Sequence, residues 1–179
     1  MSDPIRMGIL SAAHPHSGAY ANALAGFEDV TFVGVADEDA QRGRSLADAH
    51  GVAYRDADAL LADVDAVAVC AANADHEAWV RRAATAGVDV LCEKPLAPTV
   101  DGAERIVETV ADAGIVCGVA MPLRFSEPAR EAAAALDGGE VGALQSVVGT
   151  NRGQMPGEWF VDPAASGGGA VQDHTVHVV

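Results

Sequence analysis

The sequence predicts an α/β protein with a doubly wound parallel sheet, followed by the beginning of a second α/β domain. Apolar runs of strand length, such as 30–36 and 65–71, alternate with segments of helical periodicity. These runs are continuously apolar, which is typical of strands buried on both faces. Right-handed crossovers between such strands place helices on both sides of the sheet.

The elements follow in order along the chain. Strands are predicted at 5–10, 30–36, 52–54, 65–71, 88–93 and 115–121. Helices are predicted at 17–26, 37–50, 56–62, 75–87 and 99–114, the last with Thr99 as its N-cap and Gly114 at its end.

The pattern changes near residue 122, so we predict one domain over 1–122 and the incomplete start of another over 123–179. A helix is predicted at 127–139 and a longer, more polar strand at 143–153. One strand and two helices leave sheet edges unpaired, so we expect the second part to be a fragment of a domain.

The charge restricts the classes of partner. The net charge of −15 argues against binding to nucleic acid or to an anionic membrane, which would need a basic face. Either a saline cytoplasm, where salt screens a carboxylate-rich surface, or the codon bias of a GC-rich genome explains the composition, and we favour the first. Three unpaired cysteines and the lack of a signal or membrane-spanning segment favour a cytoplasmic protein.

Two features could serve a dinucleotide. Small residues in the first strand–helix turn, Ser11, Ala12 and Ala13, followed by His14, would let backbone amides approach a pyrophosphate. The turn lacks the usual glycines, which on its own favours the alternative of an ordinary strand–helix turn. Asp37, at the end of the second strand, could accept hydrogen bonds from a ribose diol and would repel a 2′-phosphate. It could equally cap the following helix.

Lys94 is the only lysine beside ten arginines. It follows the fifth predicted strand at the ligand-binding end of the sheet, and Pro95 keeps it out of a helix. A site that needs a compact ammonium would resist replacement by arginine. Asp173 and His177, four residues apart, would share one face of a helix as an acid–base pair, with His174 directed elsewhere. The histidine spacing matches no metal motif, so we expect no metal.

With these residues identified, the chain resembles the glucose–fructose oxidoreductase/inositol dehydrogenase (Gfo/Idh/MocA) family of NAD(P)-dependent oxidoreductases. The most specific motifs are Glu93-Lys94-Pro95 after a strand and "WFVDPAASGGGAVQDHTVH", which leads into the Asp-x-x-x-His pair. The segments "CGVAMPLRFSEPAR" and "GEVGALQSV" are also similar to connecting segments of the family.

The resemblance implies a Rossmann domain and hydride transfer between NAD, or less favourably NADP, and a carbinol carbon of a sugar or polyol. It implies that Lys94 and His177 hold the reacting hydroxyl, with His177 as proton acceptor oriented by Asp173. It further implies a homo-oligomer, a cis Lys94–Pro95 bond, and four residues near the cofactor: Asn73, His76, Glu93 and Arg124.

The chain departs from the family pattern in its first turn, at Ala71-Ala72, and in stopping shortly after His177. Two alternatives therefore stay open beside a dehydrogenase. One is a non-catalytic NAD-binding or regulatory fragment, and the other is a redox-neutral enzyme that uses NAD transiently.

Overall fold

In a computed structural model, which describes residues 3–150, 153 and 156–177, six strands form one parallel sheet. The strands are β1 (Ile5–Leu10), β2 (Val30–Ala36), β3 (Ala53–Tyr54), β4 (Ala66–Val69), β5 (Asp89–Cys92) and β6 (Cys117–Val119). Their order in the sheet is β3-β2-β1-β4-β5-β6, which confirms the doubly wound prediction. From β1 the chain adds strands first on one side, as β2 and β3, and then on the other, as β4 to β6. The strand order therefore reverses between β1 and β4.

Eight α-helices accompany the strands in the described part of the chain. Five alternate with the strands: α1 (Ser17–Gly26), α2 (Ala40–His50), α3 (Ala57–Leu61), α4 (His76–Thr85) and α5 (Val100–Ala113). Three follow the sheet: α6 (Glu127–Asp137), α7 (Pro163–Ser166) and α8 (Gly169–Thr175). Short 3₁₀ helices lie at Asn73–Asp75, Pro122–Phe125 and Glu158–Val161.

Alternating side chains of the central strands divide the core between the two faces of the sheet. Leu10 and Val69 pack on the face covered by α3, α4 and α5, whereas Ile9 and Ala68 pack on the face covered by α1 and α2. All four are buried, as the continuous apolar runs predict.

Local signals set the helix ends as expected. The Thr99 side chain accepts the Gly102 N–H at the start of α5, and Gly114 ends that helix with φ of 69°. At the start of α2 the capping residue is Asp39, whose side chain accepts the N–H groups of Gln41 and Arg42. Asp37 is therefore not the helix cap.

The predicted strand at 143–153 is wrong for its described residues. Residues 143–150 carry no regular structure and are exposed, and 151 and 152 lie outside the described residues. An isolated strand leaves its N–H and C=O groups unpaired, so a strand-like sequence needs a neighbouring strand to adopt that form. None of the described strands pairs with this segment.

Candidate functional site

The first turn uses a serine in a conformation that favours glycine. Ser11 has φ of 63°, and its N–H donates to Ala36 O at 2.7 Å. A non-glycine residue in this region costs about 1 kcal/mol or more, so Ser11 takes the shape of a glycine turn with some strain. The Ser11 hydroxyl accepts the Ala13 N–H at 3.3 Å, and the His14 N–H donates to Cys70 O at 2.8 Å. The turn thus joins the carboxyl ends of β1 and β4.

Asp37 accepts four hydrogen bonds at the end of β2. Arg42 grips both carboxylate oxygens, with Nε 2.9 Å from Oδ2 and Nη2 2.6 Å from Oδ1. The backbone N–H groups of Ala12 and Asp39 donate to the same carboxylate at 2.6 and 2.8 Å. The Asp37 side chain is fully buried while Arg42 is 40% exposed, so the guanidinium compensates the charge of the buried carboxylate.

Gly43 makes this arrangement possible. A Cβ at Gly43 would lie 2.6 Å from a Tyr54 ring carbon and 2.7 Å from Asp37 Cβ, so a larger residue would push α2 away from β2. The Tyr54 hydroxyl in turn donates to Asp37 O at 3.0 Å. The sequence analysis did not identify Gly43 or Tyr54, because their contact exists only once α2 has packed on the sheet.

Lys94 lies just beyond β5 and is only 4% exposed. Its Nζ donates to Asp173 Oδ1 at 2.5 Å across 79 residues of sequence. The Lys94–Pro95 peptide bond is cis, as the resemblance implied. The only lysine and the acidic residue of the Asp-x-x-x-His motif are therefore direct partners.

The described hydrogen bonds and ion pairs do not include the expected pairing of Asp173 with His177. Helix α8 ends at Thr175, and His177 lies two residues past it, with its N–H donating to His174 O at 3.2 Å. His174, expected to point elsewhere, has its Nε2 3.8 Å from Asp173 Oδ2. The described ion-pair partners of Asp173 are Lys94 and His174. Nδ1 of His177 is buried and has no hydrogen-bond partner among the described residues.

Lys94, Asp173, His174 and His177 line one cavity of about 400 Å³ together with His14 and His16. Burial and the nearby Lys94 charge lower the pKa of His177, while Asp173 opposes the shift. A neutral imidazole beside a buried ammonium can accept a proton from a ligand in this cavity.

Glu93 is buried at the centre of a hydrogen-bond network that sequence reasoning identified only in part. Its Oε1 accepts from His16 Nδ1 at 2.9 Å and from the Tyr20 hydroxyl at 2.8 Å, and its Oε2 accepts from the Lys94 N–H at 3.0 Å. Burial raises the pKa of Glu93. The bonds from His16 and Tyr20, together with the charges that His14 and His16 carry once protonated at low pH, outweigh burial and lower this pKa to about 2. Glu93 is therefore an anion that holds α1 against the Lys94 turn.

His14, His16 and Glu93 also form the one group of metal-ligand atoms within 4.8 Å of each other among the described residues. His14 Nδ1 accepts the His16 N–H at 3.2 Å, so the proton of the neutral ring is on Nε2. A nitrogen that carries a proton cannot ligate a cation, and moving this proton to Nδ1 would break the bond to His16. The donor set fits a hydrogen-bond network better than a metal site, and the absence of a metal stays a prediction.

The other three residues expected near the cofactor lie in three different environments. His76 is fully buried, with Nδ1 2.9 Å from Pro95 O and Nε2 3.3 Å from Ala71 O, so it supports the Lys94–Pro95 turn and has no free atom for a cofactor. Asn73 donates to Ser166 O at 2.8 Å and keeps a buried, unpartnered Oδ1. Arg124 is exposed and lines a separate cavity of about 220 Å³ with His177.

The family described as "Oxidoreductase family, NAD-binding Rossmann fold" matches residues 7–121. The chain is 30% identical to an inositol 2-dehydrogenase of Rhizobium meliloti over 97% of this chain and 52% of that protein. It is 38% identical to a D-xylose 1-dehydrogenase (NADP(+)) of Haloferax volcanii over 75% of this chain and 43% of that protein.

Among solved structures, an NAD-binding protein from Listeria innocua is similar with a TM-score of 0.82 and 25% identity, over 98% of this chain and 53% of that one. The chain spans about half the length of the curated relatives it matches. None of the described helices is both long and apolar enough to cross a membrane. The match over residues 7–121 shows that the chain belongs to the Gfo/Idh/MocA family of oxidoreductases.

Proposed function

We propose that this chain carries the nucleotide-binding domain, residues 1–122, and part of the reaction site of a dehydrogenase that oxidises a carbinol carbon of a sugar or polyol. The observation that carries the proposal is the buried Lys94 ammonium, held by Asp173 in the same cavity as His177. Family membership and relatives that are named as dehydrogenases of inositol and xylose support the substrate class.

The residues fit a nicotinamide dinucleotide. The Ser11–Ala13 turn has no bulky side chain, and it lies where the strand order reverses between β1 and β4. Two buried polar atoms near that point, His14 Nε2 and Asn73 Oδ1, have no partner in the part of the chain that the structure describes. Such orphaned groups are costly unless a ligand satisfies them.

The protein residues divide the proton chemistry between them. The bound nicotinamide supplies the hydride acceptor. Lys94 donates a hydrogen bond to the reacting oxygen and stabilises the alkoxide that forms as its proton leaves. His177, kept neutral by burial and by Lys94, accepts that proton. Asp173 positions the Lys94 ammonium, whereas the family resemblance implied that it orients His177.

For the cofactor we propose that NAD binds more tightly than NADP. Two N–H groups of Arg42 already bind Asp37, so a 2′-phosphate would have to compete with that carboxylate for the guanidinium. The Haloferax volcanii relative, which is NADP-dependent by name, makes the reverse preference the alternative. Calorimetric titration of both cofactors decides the point, and NADP binding equal to or tighter than NAD binding would refute the preference.

The decisive experiment for the reaction is net NADH formation with a panel of polyols and sugars, in the longest natural form of the chain. We expect turnover with at least one of them. A redox-neutral enzyme would change a sugar without net NADH, and a non-catalytic fragment would bind NAD without changing any compound. Either result would reject the dehydrogenase.

We further propose a saline cytoplasm. The net charge of −15 is self-repelling in dilute buffer and is screened by salt. We therefore expect the melting temperature to rise steeply from low to molar KCl, measured by circular dichroism. A flat profile would assign the composition to codon bias alone.

A further inference from the structure

His14 carries a hydrogen-bond donor that no group among the described residues satisfies. Its side chain is 2% exposed, and its Nε2 is buried without a partner. Glu93 Oε2 lies 4.0 Å from His14 Nε2, which is too far for a hydrogen bond, and it already accepts the Lys94 N–H. The rings that contact His14 belong to His16, Trp159 and Phe160, and none of them presents an acceptor oxygen.

The backbone fixes which nitrogen of His14 donates. The His16 N–H points at His14 Nδ1 at 3.2 Å, so Nδ1 is the acceptor and Nε2 keeps the proton. Burial is the main reason that the pKa of His14 is lowered to about 4, although Glu93 opposes the shift. The ring is therefore a neutral donor at neutral pH, and it brings no positive charge towards a cationic ligand.

The position of His14 indicates which part of a dinucleotide it faces. It follows the Ser11–Ala13 turn and bonds to Cys70 O, where the strand order reverses. In this fold a dinucleotide crosses that point, with one half on each side. Asp37 lies on the β2 side and Lys94 on the β5 side, so the nicotinamide half belongs near Lys94. His14 lines the same cavity as Lys94.

We propose that His14 Nε2–H donates a hydrogen bond to the carboxamide oxygen of the bound nicotinamide and so orients the ring at the reaction site. The proposal rests on the function proposed above. It requires an acceptor, which the carboxamide oxygen provides, and it assigns the orphaned donor a partner. A hydrogen bond to the carboxamide restricts rotation of the nicotinamide ring and so fixes which face of the ring is presented to the substrate.

The test compares ligands that differ only at the nicotinamide end, using calorimetry on the longest natural form of the chain. His14→Leu removes the donor, and His14→Gln keeps an N–H near the Nε2 position. We expect His14→Leu to weaken NAD binding by about threefold to tenfold, while binding of ADP-ribose, which lacks nicotinamide, changes less than twofold. His14→Gln should recover most of the lost affinity.

A second arm needs no variant and remains decisive if His14→Leu does not fold. Thionicotinamide adenine dinucleotide replaces the carboxamide oxygen with sulfur, a weaker acceptor. The unaltered protein should bind it more weakly than NAD, by a factor comparable to the loss in His14→Leu. Where the leucine variant folds, it should no longer distinguish the two.

Three results would overturn the proposal. Equal losses of NAD and ADP-ribose would show that His14 only shapes the turn. Unchanged NAD binding with a raised KM for the substrate would show that the donor faces the substrate. Equal binding of NAD and the sulfur analogue by the unaltered protein would exclude recognition of the oxygen. Absence of turnover with NAD binding intact would instead reject the proposed function alone, since these titrations measure binding.

Discussion

Residues 5–119 and residues 122–177 bury their side chains very differently. The first region packs two apolar clusters against the two faces of its sheet. In the second, Phe160 and Ser166 are the only buried residues among those whose exposure is described, and α6 buries none. The first region therefore closes its own core, whereas the second does not.

Polar contacts at the candidate site join the second region to the first, beside the ring contacts of Trp159 and Phe160 with His14. Trp159 Nε1–H donates to Ala13 O at 3.0 Å, and Gln172 Nε2 donates to Pro98 O at 2.8 Å. The Lys94–Asp173 pair lies in the same junction. The difference teaches that the candidate cavity lies between a region that closes its own core and a segment whose described residues bury few side chains. Chemistry and stability should accordingly respond to different residues.

The largest expected effect is a loss of turnover on replacing Lys94, which lies at the junction of the two regions. Lys94→Met and Lys94→Arg should each lower kcat by about 10²–10³, because a buried donor to a developing alkoxide is lost or displaced by a wider planar group. Steady-state kinetics in the longest natural form of the chain measures this.

Arg82→Met is the matched control, since Arg82 forms an exposed ion pair with Asp58 away from the cavity and its loss should leave turnover unchanged. Near-normal turnover of Lys94→Arg would mean that the only lysine is an accident of composition.

A pair of leucine truncations tests the difference in burial directly. Leu60 is fully buried in α3, so Leu60→Ala should lower the free energy of unfolding by about 3 kcal/mol through lost packing and a residual cavity. Leu136 in α6 is 43% exposed, so Leu136→Ala should change it by less than about 0.5 kcal/mol. Urea denaturation of this chain provides both values. A similar loss at both positions would show that α6 is packed in solution and would break the comparison.

The smallest expected effect concerns pH and the first region. The folded-state pKa of His14 is about 4 and its ordinary value is 6.5, so the unfolded chain binds more protons between these values. The contribution of His14 is therefore complete above pH 6.5 and is lost as the pH falls towards 4. From pH 7 to pH 5 the free energy of unfolding should fall by about 2 kcal/mol from this residue.

Urea denaturation at both pH values measures the change. In His14→Leu the fall in the free energy of unfolding from pH 7 to pH 5 should be smaller by about 2 kcal/mol. Burial also lowers the pKa of His76, so some pH dependence should persist in the variant. An identical fall in the free energy of unfolding in the two proteins would exclude His14 as the source of the pH dependence.

The sequence by itself determined most of the first region. Periodicity, strand composition and caps such as Thr99 depend on neighbouring residues, so the six strands and the helices between them could be predicted. The lone Lys94 could be singled out because composition made it exceptional. The resemblance added the family and the cis Lys94–Pro95 bond.

Only the tertiary structure decided which side chains meet at the site. Asp173 bonds to Lys94 from 79 residues away, and His16 bonds to Glu93 from 77 residues away. These contacts arise because parallel strands bring their carboxyl ends to one edge, where distant segments converge. The exposed 143–150 segment shows the same dependence in reverse: its sequence suits a strand, but strand pairing requires a partner that sequence periodicity cannot supply.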